Sequence, residues 1–212
     1  MASKKQTSAK ILPDAGITFD DVLLLPGYTD FSRKQVDLSV ALHPTIVLKM
    51  PVISSPMDTV TETDMAIMMA MHGGIGIVHR NLSTDAQTKI VRDVKGVSVT
   101  NPSESSCDVE GNLLVGAAVG VGEDFEERVQ KLINADVDLL CIDSGHGNTA
   151  IQIDAIKRIK EMAPRLPVMA GNVASAEGAR NLAKAGADII RVGMGPGSIC
   201  TTRIITGMGV PQ

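Results

Sequence analysis

Short apolar runs and amphipathic stretches alternate along the chain after residue 50. The runs are continuously apolar instead of switching between apolar and polar residues, which is typical of parallel strands buried on both faces. Most runs end near a Gly, Ser, Asp or Asn, and a stretch with helical spacing follows. The pattern predicts strands over residues 51–54, 74–78, 114–119, 138–142, 167–170 and 188–192 and helices over residues 61–71, 83–95, 123–134, 148–162 and 175–185.

Repeated strand–helix units predict an α/β fold with a parallel sheet and right-handed crossovers. Both a (β/α)8 TIM barrel and an open doubly wound sheet satisfy this order of elements. No G-x-G-x-x-G sequence opens the first helix, which weakens the dinucleotide-sheet alternative. At the helix ends, Thr59 or Thr61 is available to cap the first helix, and Gly186 is positioned to end the fifth.

Polar and reactive residues follow the carboxyl ends of the predicted strands. They are Ser54, Ser55, His79, Arg80, Asp143, Ser144, Asn172 and, in a glycine-rich loop, Cys200. A TIM barrel builds its site at this face, so the sequence favours the barrel. About six of the eight β/α units are countable, so we expect one catalytic barrel domain over residues 1–212, incomplete at its C-terminus.

Residues 96–112 interrupt the alternation of strands and helices. This segment, GVSVTNPSESSCDVEGN, is polar and rich in Ser, and it lies between the second predicted helix and the third predicted strand. A barrel needs only ~2–6 residues at such a connection. A surface loop and the seam of an inserted or deleted domain explain the segment equally well.

Composition excludes several classes of partner. Apolar residues make up 44% and charged residues 21% of the 212 residues, which is ordinary for a globular chain with a buried core. Aromatic residues make up only 2%, and 20 basic against 24 acidic side chains give a net charge of −4. Because base-stacking platforms and basic blocks are lacking, we expect no nucleic-acid and no membrane partner.

The N-terminus and the cysteines indicate a soluble cytoplasmic protein. Lys4 and Lys5 are not followed by an apolar stretch of signal-peptide length, and the longest apolar run, residues 65–71, is too short to span a membrane. Cys107, Cys141 and Cys200 are too few and too far apart for a disulfide framework, and they form no C-x-x-C pair.

The segment RVGMGPGSICTTR, residues 191–203, has the strongest chemical signal. Its three glycines free the backbone for close approach to a ligand. Ser198 adds a hydroxyl beside backbone N–H groups, an arrangement that suits a phosphate. Cys200 follows at a strand end, where a thiolate is accessible, and a buried inert cysteine is the alternative. No His is close in sequence, so activation falls to the loop backbone, an Arg or the substrate.

These residues carry a resemblance to a known family. GMGPGSICTTR resembles the catalytic loop of the inosine-5′-monophosphate (IMP) dehydrogenases. Further similar segments, in chain order, are GITFDDVLLLPGYTDF, PVISSPMDTVTE, GGIGIVHRN, VGAAVG, IDSGHGN, AGNVAS and TGMGVPQ. The resemblance covers residues 16–212 and implies a (β/α)8 barrel that assembles as a cyclic homotetramer.

The resemblance also gives a meaning to residues 96–112. In that family a pair of regulatory nucleotide-binding modules is inserted between the second helix and the third strand. This chain has only the short linker there. A form without the insert, natural or engineered, is therefore implied, without control by adenine or guanine nucleotides through those modules.

The implied reaction is NAD-dependent oxidation of IMP to xanthosine 5′-monophosphate (XMP), in guanine nucleotide biosynthesis. Cys200 would attack C2 of the purine, hydride would pass to NAD, and the covalent thioimidate would be hydrolysed with Thr202 assisting proton removal from water. Ser198 would hold the 5′-phosphate, and Ser55 and Met57 would line the nucleotide site. From the residues alone, a turn serine and a core methionine are the simpler interpretations of those two.

The family pattern further implies a cofactor and a cation. Backbone carbonyls of Gly195, Gly197 and Cys200 would bind potassium, although the sequence alone indicates only a flexible loop. Asp143 would accept hydrogen bonds from the NAD ribose, although it also suits a helix N-cap. Arg191 fits a salt bridge in the barrel wall equally well. The residues implied to bind NAD are Asp143, Ser144, Asn172, Arg191, Gly193, Met194 and Gly195.

Other parts of the family site would lie beyond residue 212, namely the mobile flap, a ribose-binding Asp, a second phosphate loop and further potassium ligands. We therefore expect the chain alone to be inactive. His146 is interpreted as a loop residue and not as a base. Two alternatives stay open: guanosine-5′-monophosphate (GMP) reductase, which performs NADPH-dependent reductive deamination on the same barrel, and a non-catalytic truncated fragment.

Overall fold

The computed structural model of the protein describes residues 16–212. Lys4 and Lys5, near which the sequence predicts no signal peptide, lie outside the described residues. Two 3₁₀ turns, Phe19–Asp21 and Arg33–Gln35, come first. The strands are β1 (Val40–His43), β2 (Ile46–Leu48), β3 (Ile53–Ser54), β4 (Ile75–Val78), β5 (Val115–Val119), β6 (Leu139–Asp143), β7 (Val168–Val173) and β8 (Ile189–Val192). The helices are α1 (Thr63–Met71), α2 (Thr84–Lys95), α3 (Phe125–Ile133), α4 (Ala150–Met162), α5 (Ala176–Ala185) and α6 (Thr202–Thr206).

Strands β3 to β8 form one parallel sheet, in which each strand pairs with the next strand along the chain. A doubly wound sheet reverses its strand order at a switch point, so the unbroken order excludes that alternative. Helices α1 to α5 each connect one strand to its neighbour. The prediction of six β/α units is confirmed, and the sheet is a curled half-barrel, the architecture of a partial TIM barrel.

The sheet buries apolar side chains on both faces. On the helix side, Leu140 and Ile142 of β6 pack in one core cluster with Ile156 of α4. On the other side, which we call the inner face, Leu139 and Cys141 of the same strand belong to a second cluster. Because successive residues of a strand point to opposite faces, a strand between two cores must be apolar throughout. The continuous apolar runs in the sequence have this origin.

An antiparallel hairpin, β1–β2, covers part of the inner face and was not predicted from the sequence. Ile46 and Leu48 are fully buried in the inner cluster, whereas Val47 between them is 43% exposed. The alternation is that of a strand with one face on a core. A strand of three residues is too short for this alternation to stand out in a sequence.

The prediction that Thr59 or Thr61 caps the first helix is wrong. Helix α1 begins at Thr63, and its N-cap residue is Glu62, which makes no side-chain capping bond. Thr61 is fully buried, and its hydroxyl donates to the carbonyl oxygen of Ser55 at 2.6 Å. This hydroxyl therefore fixes the end of strand β3 instead of the start of the helix.

The other helix ends follow ordinary capping rules. Side-chain oxygens of Ser83, Thr149 and Ser175 accept first-turn N–H groups of α2, α4 and α5. Gly186 ends α5 with φ 107°, a left-handed conformation that favours glycine, as predicted. No helix within residues 16–212 combines the length and the apolar character needed to cross a bilayer.

Residues 96–112 form no helix or strand, yet the segment is anchored to α1. Ser105 and Ser106 are buried. The N–H of Ser106 donates to the carbonyl of Ala70 at 2.8 Å, and Ser105 Oγ donates to the carbonyl of Met71 at 3.1 Å. The last carbonyls of a helix have no partner inside the helix, so the segment satisfies the C-terminal end of α1.

Candidate functional site

Asp143 and Arg191 meet on the inner face, at the carboxyl ends of β6 and β8, where Arg191 Nη1 donates to Asp143 Oδ1 at 2.9 Å. Asp143 follows Cys141 by two residues, and Arg191 follows Ile189 by two residues; Cys141 belongs to the inner cluster and Ile189 packs against it. Because side chains two residues apart in a strand point to the same face, Asp143 and Arg191 both point to the inner face. The salt bridge that was the alternative for Arg191 is therefore present. The capping alternative for Asp143 is wrong, because Thr149 is the N-cap of α4.

A cavity of about 350 Å³ opens beside this ion pair, and we call it the inner cavity. Asn172 Nδ2 donates to the carbonyl of Gly193, and the Asn172 N–H donates to the carbonyl of Ser144, both at 3.0 Å. These bonds join the ends of β6 and β7 to the loop after β8. Of the predicted site residues, the structure thereby brings together Ser55, Asp143, Ser144, Asn172, Arg191 and Gly193.

The loop after β8 is closed by backbone geometry. Gly193 and Gly195 have φ values of 125° and 63°, which favour glycine. Met194 and Val210 form an antiparallel bridge, in which the Val210 N–H donates to the Met194 carbonyl at 2.9 Å. A Cβ at position 195 would lie 2.8 Å from Arg203 Cγ. The glycine spacing therefore serves the shape of the loop itself.

Two residues predicted to bind substrate do not line the inner cavity in the described structure. Ser198 is exposed, like Gly197 beside it, and Met57 is 55% exposed. The carbonyl of Gly197 accepts the N–H of Cys200 at 3.1 Å, which forms a tight turn immediately before the cysteine. The roles of Ser198 and Met57 stay predictions.

The three cysteines are free thiols in different surroundings. Burial raises the pKa of Cys141 to about 11, and burial also raises the pKa of Cys107. The pKa of Cys200 is lowered, because the hydroxyl and the N–H of Thr202 stabilise its thiolate and Arg203 adds a positive charge. Cys200 Sγ lies 3.2 Å from Thr202 Oγ1. Cys200 is therefore the thiol that ionises most readily, without a histidine beside it.

Sequence reasoning assigned no role to His79 and Arg80, although both directly follow β4. His79 is 2% exposed; its Nδ1 accepts the N–H of Asn81 at 3.2 Å, and its Nε2 lies 3.0 Å from Glu62 Oε1. Arg80 Nε lies 3.9 Å from Asp143 Oδ2. In the sequence, their position directly after a predicted strand is the feature that indicates a place in the site.

Comparison with known proteins agrees with this geometry. The family model of the IMP dehydrogenase / GMP reductase domain matches residues 16–212. The chain therefore belongs to the IMP dehydrogenase / GMP reductase family, which confirms the resemblance found in its sequence.

Similar proteins include the inosine-5′-monophosphate dehydrogenase of Borreliella burgdorferi, which is 41% identical over 239 residues, covering 96% of this chain and 59% of that protein. The enzymes of the same name from Staphylococcus saprophyticus and Bacillus subtilis are 34% and 33% identical, over 92% and 93% of this chain. This chain spans 63% and 64% of their lengths. These two alignments, over 309 and 311 residues, are longer than the chain, so both relatives contain residues without a counterpart here.

Replacing Gly195 by Ala should slow alkylation of Cys200 by roughly fivefold or more, because a φ of 63° is strained for alanine and the new Cβ would press on Arg203. Iodoacetamide labelling followed by mass spectrometry measures the rate at Cys200. Gly111→Ala is the matched control, since Gly111 also has a positive φ of 89° but no atom within 4 Å of a new Cβ. Equal labelling rates in the two variants would contradict a loop shaped by Gly195.

Proposed function

We propose that the full-length protein oxidises IMP to XMP with NAD and that Cys200 is its nucleophile. The observation that carries this proposal is the loop after β8, in which the most readily ionised thiol of the chain lies 3.2 Å from a threonine hydroxyl. Membership of the IMP dehydrogenase / GMP reductase family supports it. The relatives named inosine-5′-monophosphate dehydrogenase support oxidation as the direction.

In the proposed reaction the Cys200 thiolate adds to C2 of the hypoxanthine ring, and the hydrogen on C2 leaves as hydride. NAD, when bound, supplies the acceptor of that hydride. Water then adds to the thioimidate carbon and gives up a proton, and the carbon–sulfur bond breaks to release XMP and the thiol. Thr202 assists removal of the water proton, a role that fits its hydroxyl beside Cys200 Sγ.

The residues at the inner face fit a nucleotide cofactor. Arg191 occupies Oδ1 of Asp143, whereas Oδ2 has no hydrogen bond within the described residues and is free to accept a ribose hydroxyl. In this proposal IMP contacts Ser55, Met57 and Ser198. The residues that hold NAD are Asp143, Ser144, Asn172, Arg191, Gly193, Met194 and Gly195.

A potassium ion completes the proposed site. Carbonyl oxygens of Gly195, Gly197 and Cys200 would hold it, and carbonyl oxygens are the ligands that potassium takes in proteins. The Gly197 carbonyl accepts the N–H of Cys200 but keeps a second lone pair for the cation. Such an ion would order the loop that carries the nucleophile.

We also propose that residues 96–112 stand where other members of the family carry the regulatory insert. The anchoring of Ser105 and Ser106 to α1 supports a self-sufficient connection. The additional residues of the longer relatives are consistent with an insert that this chain lacks. A homotetramer located in the cytoplasm is part of the same proposal.

The test is the absorbance of NADH, measured with the full-length protein, IMP and NAD, with and without potassium. NADH formation that potassium stimulates is the expected result. Oxidation of NADPH in the presence of GMP, without NADH formation from IMP, would instead assign the GMP reductase reaction. Failure of both reactions would leave the non-catalytic alternative.

Asp143→Ala should raise the dissociation constant for NAD by about tenfold, because hydrogen bonds from the cofactor ribose to a carboxylate are lost. The same contacts exist in ground and transition states, so KM for NAD should rise while kcat changes less. Asp154→Ala is the control, since Asp154 is an exposed carboxylate on α4. A fall in kcat at unchanged KM would contradict the ribose-binding role.

A further inference from the structure

The loop between β3 and α1, residues 55–62, is mostly exposed, and we call it the β3–α1 loop. It carries Ser55 and Met57, both exposed and both assigned to IMP in the proposed function. Inside the loop, the N–H groups of Val60 and Thr61 donate to the carbonyl of Met57 at 2.9 and 3.0 Å. An exposed loop of this kind has few apolar contacts, so polar contacts to neighbouring elements decide how well it is ordered.

Two side chains that follow β4 contact the β3–α1 loop. His79 Nε2 lies 3.0 Å from Glu62 Oε1, at the end of the loop. Asn81 Nδ2 donates to Asp58 Oδ2 at 3.0 Å, near the middle of the loop. These contacts tie the loop to the neighbouring strand at two separate points.

Glu62 occupies a position at which its residue type is unfavourable. It is the N-cap of α1, where Ser, Thr, Asp or Asn usually accepts an N–H of the first turn. The Glu62 side chain makes no such bond and contacts His79 instead. The contact with His79 therefore replaces a side-chain cap, and departures of this kind from local rules are expected at functional sites.

His79 is the fixed partner in this pair. Its side chain is 3% exposed, whereas that of Glu62 is 58% exposed. The ring Nδ1 accepts the N–H of Asn81 at 3.2 Å, and the His79 carbonyl accepts from Nε2 of the fully buried Gln87 at 3.0 Å. Because neighbours hold both its ring and its backbone, His79 is a rigid point to which the loop is attached.

We propose that His79 and Asn81 are positioning residues, which hold the β3–α1 loop in the conformation that binds the purine nucleotide. The nucleotide contacts are those of Ser55 and Met57, so the inference rests on the proposed function for its ligand. Only molecules whose loop has the binding conformation bind the nucleotide, so the apparent dissociation constant rises as their fraction falls. Once bound, the nucleotide itself holds the loop, and kcat should change little.

The test is calorimetric titration of the full-length protein with IMP and with GMP. Glu62→Ala, at a largely exposed side chain, should raise the dissociation constant of the nucleotide that binds by about tenfold, as expected if about one loop in ten keeps the binding conformation. His79→Phe fills the space of the ring without a hydrogen bond and should have the same effect. The double variant should bind no more weakly than either single variant, because each removes the same contact.

Two further variants separate the contacts from each other. His79→Gln should recover part of the affinity that His79→Phe loses, because an amide can still bond to the Glu62 carboxylate. Asn81→Ala removes the contact with Asp58 and should weaken nucleotide binding on its own. Added to Glu62→Ala, it should weaken binding further, because the two contacts do not share a side chain.

Two controls separate positioning from a general loss of stability. His72→Phe replaces an exposed histidine at the other end of α1 and should bind the nucleotide like the wild type. Lys95→Ala breaks a charge cluster at the opposite end of the strands and should lower the free energy of unfolding without changing the dissociation constant. In steady-state assays, Glu62→Ala should raise KM for IMP and leave kcat within about twofold of the wild type.

Four results would each overturn the positioning role: wild-type affinity in Glu62→Ala, additive losses in the double variant of Glu62 and His79, a fall in kcat at unchanged KM, or a wild type that binds neither nucleotide. Wild-type affinity in Asn81→Ala would remove Asn81 from it. Glu62-dependent nucleotide binding in a protein that forms no NADH from IMP would keep the positioning role and remove the dehydrogenase activity. NADH formation with an unchanged KM in Glu62→Ala would do the reverse.

Discussion

Cys200→Ala should abolish covalent labelling of the protein by an electrophilic purine nucleotide and lower the rate of NADH formation by roughly 10⁴-fold or more. The reason is that the proposed mechanism passes through a thioimidate, which cannot form without the Cys200 thiolate. Cys200 is the thiol whose pKa is lowered, through the hydroxyl and N–H of Thr202 first and the charge of Arg203 last. Its thiolate fraction at neutral pH therefore exceeds that of the other two cysteines. The measurement is intact mass followed by peptide mapping of the modified protein.

The wild type should gain one adduct, on Cys200, and none on the buried Cys141, whose pKa is raised to about 11. Cys107→Ala is the matched control and should label like the wild type, because burial also raises the pKa of Cys107. An adduct that persists in Cys200→Ala would remove Cys200 from the mechanism. The labelling rate should already rise with pH at values below the usual pKa of a cysteine thiol, because the pKa of Cys200 in the folded protein is lowered.

Much of the sheet is predictable because its strands lie between two cores. Each strand must then be apolar on both faces, and a continuous apolar run is conspicuous in a sequence. Helix boundaries agree within one or two residues where caps are present: α2 was predicted over 83–95 and is Thr84–Lys95, and α5 was predicted over 175–185 and is Ala176–Ala185. Local chemistry at Ser83, Ser175 and Gly186 decides those ends.

Two elements were not predictable for physical reasons. The hairpin β1–β2 has strands of four and three residues, and only the fold tells that Ile46 and Leu48 face a core. Helix α6 has the sequence TRIIT, in which β-branched residues disfavour a helix in isolation. Both elements owe their form to tertiary position more than to their own sequence.

The candidate site, like the fold, is only partly predictable from the sequence. Cys200 and its glycines are adjacent in sequence, so spacing alone identified the loop. The ion pair of Asp143 with Arg191 joins residues 48 positions apart, and no local pattern encodes such a pair. Arg80 was visible only as a polar residue after a strand, and its position 3.9 Å from Asp143 depends on how the two strands are placed in the sheet.

Lys95→Ala should lower the free energy of unfolding by about 3 kcal/mol at pH 7.5, because it breaks a partly buried charge cluster. Lys95 Nζ bonds to Asp108 at 2.8 Å and to Asp138 at 2.7 Å, and its side chain is only 11% exposed. The cluster joins α2, the 96–112 segment and the start of β6. Chemical denaturation measures the loss, and Lys89→Ala is the control, since Lys89 is 75% exposed and its pair with Asp93 should contribute less than about 0.5 kcal/mol.

The loss should depend on pH in a defined direction. Burial raises the pKa of Asp138 to about 6, although Lys95 opposes this shift. Because the folded pKa exceeds the unfolded value of 3.8, protonated Asp138 favours the folded state: this contribution, about 3 kcal/mol, is complete below pH 3.8 and lost as pH rises through 6. Burial lowers the pKa of Lys95, but the two carboxylates outweigh it and the pKa is raised, so the ammonium stays charged throughout this range.

The difference in unfolding free energy between wild type and Lys95→Ala should therefore be largest above pH 6 and shrink as the pH falls toward 4, where a neutral Asp138 no longer needs its partner. The asparagine side chain of Asp138→Asn cannot ionise. In this variant the free energy of unfolding should therefore fall less between pH 4 and pH 6.5 than it does in the wild type. A Lys95→Ala deficit of equal size at pH 4.5 and pH 7.5 would mean that Lys95 stabilises the protein through the packing of its alkyl chain, and the charge cluster would lose its assigned role.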